Sequence, residues 1–146
     1  MGKIMAVCTS PARGTQKKNI GETDIVDGYG LAGDAHGGNW RRQVSLLSYE
    51  RIEEFRARGA EVEFGAFGEN LVVSGYDFKS LPVGTRFACG EVLLELTQIG
   101  KQCHNGCEIF KKMGDCIMPR EGVFCRVLHG GHVKVGDMFT IESQPQ

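Results

Sequence analysis

Short apolar runs cut off by glycine turns dominate this chain, and that pattern restricts its fold more than any other feature. With 21 glycines against 4 prolines in 146 residues, sharp reversals are frequent, because glycine reaches positive φ without a steric cost. Strands are expected at Lys3–Cys8, Gln43–Leu47, Asn70–Ser74, Arg86–Cys89 and Val92–Ile99, then at Val123–Leu128, His132–Val135 and Met138–Glu142. Residues Gly21–Gly38, broken by five further glycines in eighteen positions, read as turns with no regular element. One helix stands out at Tyr49–Arg58. Ser48 is a fair N-cap, Glu50 suits the first turn, Tyr49, Ile52 and Phe55 recur at three-residue spacing, and Gly59 stops the pattern. Glu54 and Arg58, one turn apart, are expected to pair weakly. Val83–Phe87 (VGTRF) echoes Val135–Phe139 (VGDMF), each reading as a turn that enters a strand. Many short strands at close intervals indicate a barrel or a sandwich.

Composition agrees with a single domain over residues 1–146. Apolar content of 41% and charged content of 24% are those of a globular protein, and this length buries a core without cross-links. A formal net charge of −1 gives no electrostatic basis for non-specific nucleic-acid binding. The N-terminal MGKIMAVCTS has no signal-peptide pattern and no apolar run reaches membrane length, so a cytoplasmic, membrane-free location is expected. Six cysteines are even in number, but in a chain of this size without a secretion signal they read as free thiols.

Chemistry concentrates in CHNGCEIFKKMGDC, which puts Cys103, His104, Cys107 and Cys116 into fourteen residues. Haem attachment needs CxxCH and fails on CHxxC, and the regular CxxC spacing of iron–sulfur sites is absent. Those four side chains are enough for a tetrahedral zinc, though the second CxxC of a zinc ribbon is missing. The alternative is a reactive thiol. Lys101, His104, Lys111, Lys112 and Arg120 stand close in sequence, and cationic neighbours favour a thiolate or the more acidic persulfide. Cys8, Cys89 and Cys125 lie inside apolar runs and read as small core residues.

The stretches GLAGDAHGGNWRRQVSLLSYE (Gly30–Glu50), FGENLVVSG (Phe67–Gly75), LPVGTRF (Leu81–Phe87), IGKQCHNGC (Ile99–Cys107) and GDCIMPREGVFCRVLHGGHVKVGD (Gly114–Asp137) carry a resemblance over almost the whole chain. They resemble a stand-alone MOSC domain, named for the C-terminal domain of molybdenum cofactor sulfurases. The resemblance implies a mainly β fold, a small closed or partly open barrel with one or two short helices. It also implies sulfur transfer around the molybdenum cofactor (molybdopterin). In that scheme a pyridoxal-phosphate (PLP) cysteine desulfurase acts as sulfur donor, and the cofactor or its molybdoenzyme as acceptor. Cys103 matches the family's reactive cysteine, with Cys107 and Cys116 as resolving thiols or second carriers. PLP belongs to the partner desulfurase alone, since this chain has no such domain. A non-catalytic module that binds the cofactor or molybdate is the alternative.

Around this centre, Lys17, Asp34, His36, Arg42, Lys101, His104 and Arg120 are candidate cofactor-binding residues. The loop GDAHGG either lets backbone amides approach a phosphate or is a turn with an Asx cap. Arg41 or Arg42 reaches a pterin phosphate or remains a solvated face. Glu69 and Asn70 in FGEN are expected to fix a turn through side chain–backbone hydrogen bonds, and His129 and His132 read as turn residues.

Overall fold

The computed structural model describes residues 2–12, 16–101 and 117–145. Eleven strands are found among them: β1 (Gly2–Thr9), β2 (Lys18–Asn19), β3 (Glu22–Val26), β4 (Gly30–Leu31), β5 (Val44–Ser48), β6 (Leu71–Ser74), β7 (Arg86–Cys89), β8 (Val92–Ile99), β9 (Val123–His129), β10 (Gly131–Lys134) and β11 (Met138–Ser143). Helix α1 (Tyr49–Ala57), a 3-10 turn (Phe78–Ser80) and the short α2 (Met118–Glu121) complete the set. Seven strands close into a barrel in the order β1-β6-β5-β9-β8-β7-β11, with β11 pairing back onto β1. Every pair in that ring is antiparallel except β5–β6. Closure leaves no open edge in the ring. The two VG turns do enter strands, β7 and β11, and those strands are neighbours in the sheet.

Each barrel strand has an inward and an outward set of side chains. Val44, Leu46, Leu71, Val73, Leu94, Leu96, Val123 and Cys125 fill the interior together with Phe78, Phe87 and Phe139. Leu47, Val72 and Phe124 face outward into a second cluster with Ile52 and Phe55 of α1 and Met118 of α2. That covering explains why all five residues of β5 are buried. Strand β1 serves both clusters through a bulge between Ile4 and Ala6. One extra residue flips the alternation, so Ile4 and Val7 point inward while Ala6 and Cys8 point outward.

Three expectations need correction. Residues Gly21–Gly38 are not turns throughout, since they contain β3 and β4, which form a three-stranded sheet with β10. Strand β3 reads ETDIV and buries only Ile25 fully, so it carries no apolar run to find. The Glu54–Arg58 pair gives way to Glu54–Arg51, and the Arg58 guanidinium lies 5.0 Å from the centre of the Phe55 ring. His132 lies within β10, where it bridges Asp24 (2.9 Å) and Glu22 (3.0 Å) of β3. The N-cap is as expected: Ser48 Oγ accepts from Arg51 N.

Candidate functional site

Burying a charge is costly unless it is paired and fully hydrogen-bonded, and this chain buries several in one place. Where β1 ends and β6 begins, Lys17 Nζ lies 2.6 Å from Asp34 Oδ1, with both side chains wholly inaccessible. Asp34 also accepts from Ser10 N (3.1 Å, Oδ1) and Asn70 Nδ2 (3.0 Å, Oδ2). Asn70 Nδ2 donates as well to Cys8 O (3.0 Å), and its Oδ1 accepts from Ser45 N (2.9 Å) and Ser45 Oγ (3.1 Å). Lys17 Nζ approaches His36 Nδ1 at 2.9 Å and Ser10 Oγ at 3.5 Å. Four separate chain segments therefore meet at one carboxylate. Among the described residues, no buried side-chain nitrogen or oxygen lacks a partner.

Lys17, Asp34 and His36 are thus brought together, as three of the expected cofactor-binding residues. Ser10, Ser45, Glu69 and Asn70 join them. In the sequence the only signal for the last two was polarity at the mouth of an apolar strand. The expected turn-fixing role holds for Glu69, whose carboxylate accepts from Gly65 N (2.9 Å) and Phe67 N (3.0 Å), whereas the Asn70 side chain ties together distant segments instead. Gly65 has φ +96°, and a Cβ there would lie 2.2 Å from Lys17 O, so only glycine lets the lysine's backbone dock onto this turn.

Glu69 is itself fully buried. Desolvation pushes its carboxyl up to about 7, against the lowering influence of the Gly65 and Phe67 amides and Lys17. The folded state therefore holds a proton that the unfolded chain releases near its ordinary value of 4.5. Stability is expected to be highest at acid pH and to fall as pH rises from about 4.5 to 7, then level off. One proton makes the slope at most ~1.4 kcal/mol per pH unit. Urea unfolding at about pH 5 and about pH 8 checks this, and Glu69→Gln is expected to flatten the difference. An unchanged slope in that variant would assign the effect elsewhere.

A second feature lies between α1, the 3-10 turn and α2: a cleft of ≈ 320 Å³ lined by Arg51, Arg58, Lys79 and Arg120 against Glu54 and Glu121. Glu121, only 5% exposed, is held by Lys79 (2.7 Å), Arg51 (3.3 Å) and Arg120 (3.6 Å). Among the described residues the cleft is lined by four cations and two carboxylates. Helix α2 also anchors β8's exit, because Gly100 N donates to Gly122 O (2.7 Å) and Lys101 N to Pro119 O (3.0 Å). At Gly100, φ +68°, a Cβ would lie 2.5 Å from Pro119 O. Ile117, the residue after Cys116, lines the cleft. Cys103, His104, Cys107 and Cys116 themselves lie outside the described residues.

Arg42 belongs to neither group. Its guanidinium lies 4.7 Å from the Trp40 ring centre and 5.4 Å from that of Phe124, a cation–π arrangement. Phe124 shares the outer apolar cluster with Ile117 and Met118, and Trp40 Nε1 donates to His36 O at 2.9 Å. Arg42 thus stands between the glycine loop and the α2 face. Cys8, Cys89 and Cys125 are free and buried. Burial pushes all three thiols up, Cys89 to about 11. They stay protonated at neutral pH and are poor nucleophiles. Among the described residues no group of three His, Cys, Asp or Glu side chains has the geometry of a metal site, and all four zinc candidates fall outside them. No helix of the described residues is long and apolar enough to cross a membrane.

A closed barrel with an outer apolar face packed under two helices defines a small β-barrel domain. The chain belongs to the MOSC domain family, whose model matches residues 32–140. Its fold is similar to the crystal structure of the YuaD protein from Bacillus subtilis, with TM-score 0.74 and 21% identity over 100% of this chain and 98% of that one. YiiM from Geobacillus stearothermophilus is similar at TM-score 0.73 and 18% identity, covering 98% of this chain and 76% of that one. For YiiM from Escherichia coli the values are 0.68, 19%, 99% and 71%. No curated protein matches the chain in a sequence search. The family is associated with the molybdenum cofactor.

Proposed function

We propose that this chain carries sulfur to the molybdenum cofactor as substrate, with Cys103 receiving it from a PLP-dependent cysteine desulfurase. One observation carries the reading. The backbone that enters the cysteine stretch is hydrogen-bonded to α2, and the residue that leaves it lines the cationic cleft. A thiolate or persulfide is favoured in a positive field, and so is an anionic cofactor. The three described thiols are buried in their protonated form, which leaves Cys103, Cys107 and Cys116 as the candidates.

The transfer is a thiol–persulfide exchange. The Cys103 thiolate attacks the terminal sulfur of the desulfurase persulfide, the S–S bond there breaks, and the desulfurase cysteine leaves as thiolate. Atoms and electrons balance with no external oxidant. A resolving thiolate, Cys107 or Cys116, then attacks the inner sulfur of the Cys103 persulfide. A Cys103 disulfide forms, hydrosulfide leaves, and two thiols are oxidised as the outer sulfur is reduced. Arg58, Lys79 and Arg120 would hold the cofactor phosphate, with Arg42, His36 and Lys101 as further cofactor-binding residues and His104 as a candidate from sequence alone. Lys17 and Asp34 support His36 from behind. The alternative, a module that only binds the cofactor, shares the cleft but needs no thiol.

The test is incubation with a PLP-dependent cysteine desulfurase and cysteine, followed by non-reducing peptide mass mapping. Persulfide on Cys103 is expected, lost in Cys103→Ser and retained in Cys107→Ser and Cys116→Ser. An unlabelled Cys103, or a Cys103→Ser chain that labels like wild type, would overturn the assignment. Tight cofactor retention unaffected by thiol alkylation would support the binding module instead.

A further inference from the structure

A cation half withdrawn from water is usually met by a carboxylate, and Arg42 is not. Its guanidinium lies 4.7 Å from the Trp40 ring centre and 5.4 Å from that of Phe124. Among the described residues no carboxylate, carbonyl or hydroxyl accepts from it. No buried side-chain nitrogen among those residues lacks a partner, so the Arg42 N–H groups are open to water. Cation–π attraction uses up no N–H, and the five donors of the fork remain. Arg41 gives the contrast: it is exposed, and its Nε donates to Gln98 Oε1 at 2.9 Å.

The backbone that carries Arg42 is fixed on both sides. Thr97 Oγ1 donates to Arg41 O, and the Gln43 side chain, only 4% exposed, accepts from Val127 N at 2.8 Å. Gly30 packs so closely that a Cβ would lie 2.4 Å from Gln43 O. The rings are held as well. Trp40 Nε1 donates to His36 O at 2.9 Å, and Phe124 belongs to the outer apolar cluster with Ile117 and Met118. A guanidinium placed in this way has little side-chain freedom left to lose on meeting a ligand.

We propose that Arg42 is a preformed oxyanion fork, a second ligand contact apart from the cleft, which takes two oxygens of a phosphate-like anion through paired N–H donors. Arg42 is not among the described residues that line the cleft. Two parallel charge-assisted bonds are what a guanidinium supplies and an ammonium does not. The rings stand where a carboxylate would otherwise close the site, and they leave its positive charge uncancelled. That the fork serves a cofactor rests on the reading above; the fork itself rests on these contacts alone.

The chain has a single tryptophan, so Trp40 fluorescence reports on its own neighbour. Inorganic phosphate is the probe, titrated into the full-length protein against sodium chloride of equal ionic strength. It is expected to change the fluorescence saturably and to shift the Arg42 Nε–H signal in nitrogen–proton NMR, and chloride to do neither. Arg42→Gln is expected to abolish the fluorescence response. Arg42→Lys, which keeps the charge without the fork, is expected to weaken phosphate binding about tenfold or more. Should Arg42→Gln fail to fold, the lysine variant still separates a fork from a point charge. An unresponsive wild type, a glutamine variant that responds like wild type, or a lysine variant of wild-type affinity would each overturn the fork. A chloride effect equal to that of phosphate would overturn it too, as an adventitious ion only. No desulfurase or cofactor enters these titrations. An unlabelled Cys103 in the sulfur assay would therefore remove that reading and leave the fork standing, and a silent fork would leave the sulfur reading intact.

Discussion

Asp34→Ala is expected to lower the unfolding free energy by about 3–5 kcal/mol, the scale of breaking a buried ion pair from one side. The change strands the Lys17 ammonium where no water reaches it, since both side chains are wholly inaccessible. It also orphans Ser10 N and one Asn70 amide proton, and each unpaired buried donor adds to the penalty. Asp34→Asn is no mild substitute. An amide can keep one oxygen toward Lys17 and Ser10, but its NH2 then faces the Asn70 NH2, donor against donor. A surface pair gives the contrast: Glu54→Ala, which removes one of several carboxylates around Arg51 on α1, is expected to change stability by no more than ~0.5 kcal/mol. Urea unfolding with a common slope checks all three. An Asp34→Ala cost within 1 kcal/mol or so would mean that water reaches Lys17 in solution. For a domain whose whole stability is of order 5–15 kcal/mol, the expected loss removes a large fraction of it.

What was legible in the sequence is what depends on local pattern. Val44–Ser48, Val92–Ile99 and Val123–His129 are apolar runs bounded by turn residues, and all are strands. Ser48, Ile52, Phe55 and Gly59 mark a capped helix, and the helix is there. Cys8, Cys89 and Cys125 sit in such runs and are core. The barrel's order is not local, and neither is the bulge that turns Ala6 outward. The site is the least local of all. Lys17 was a candidate anion ligand after a polar loop, but nothing near it predicts its burial against Asp34, which arrives from a different segment across β3 and β4. Asn70 looks like a turn former and also bridges three segments. In the cleft, Arg120 was an expected anion ligand, whereas Arg51 and Arg58 look like the wet face of α1. They gain significance only because Glu121 and α2 pack against them. Sequence adjacency singled out the cysteine stretch; three-dimensional closure supplied the buried network behind the glycine loop.

Phe139→Ala separates the scaffold from that network. It is expected to cost about 3–5 kcal/mol, the range for deleting a buried phenyl ring without collapse of the cavity. Phe139 is completely buried inside the barrel, with ring centres at 5.1 Å to Phe87, 6.1 Å to Phe78 and 6.3 Å to Tyr76. These rings crowd one another in tilted and edge-on arrangements, and the Tyr76 hydroxyl donates to Phe139 O at 3.1 Å. The neighbours therefore cannot easily slide into the gap. The position matters twice, because β11 closes the barrel on β1 with Phe139 opposite Gly2. The interior cluster shares no residue with the outer cluster that packs α1, α2 and Phe124. At equal urea slope, then, the folded Phe139→Ala chain is expected to keep the wild-type Cys103 labelling. If Phe139→Ala loses that labelling while still folded, the interior and outer clusters are one cooperative unit rather than two.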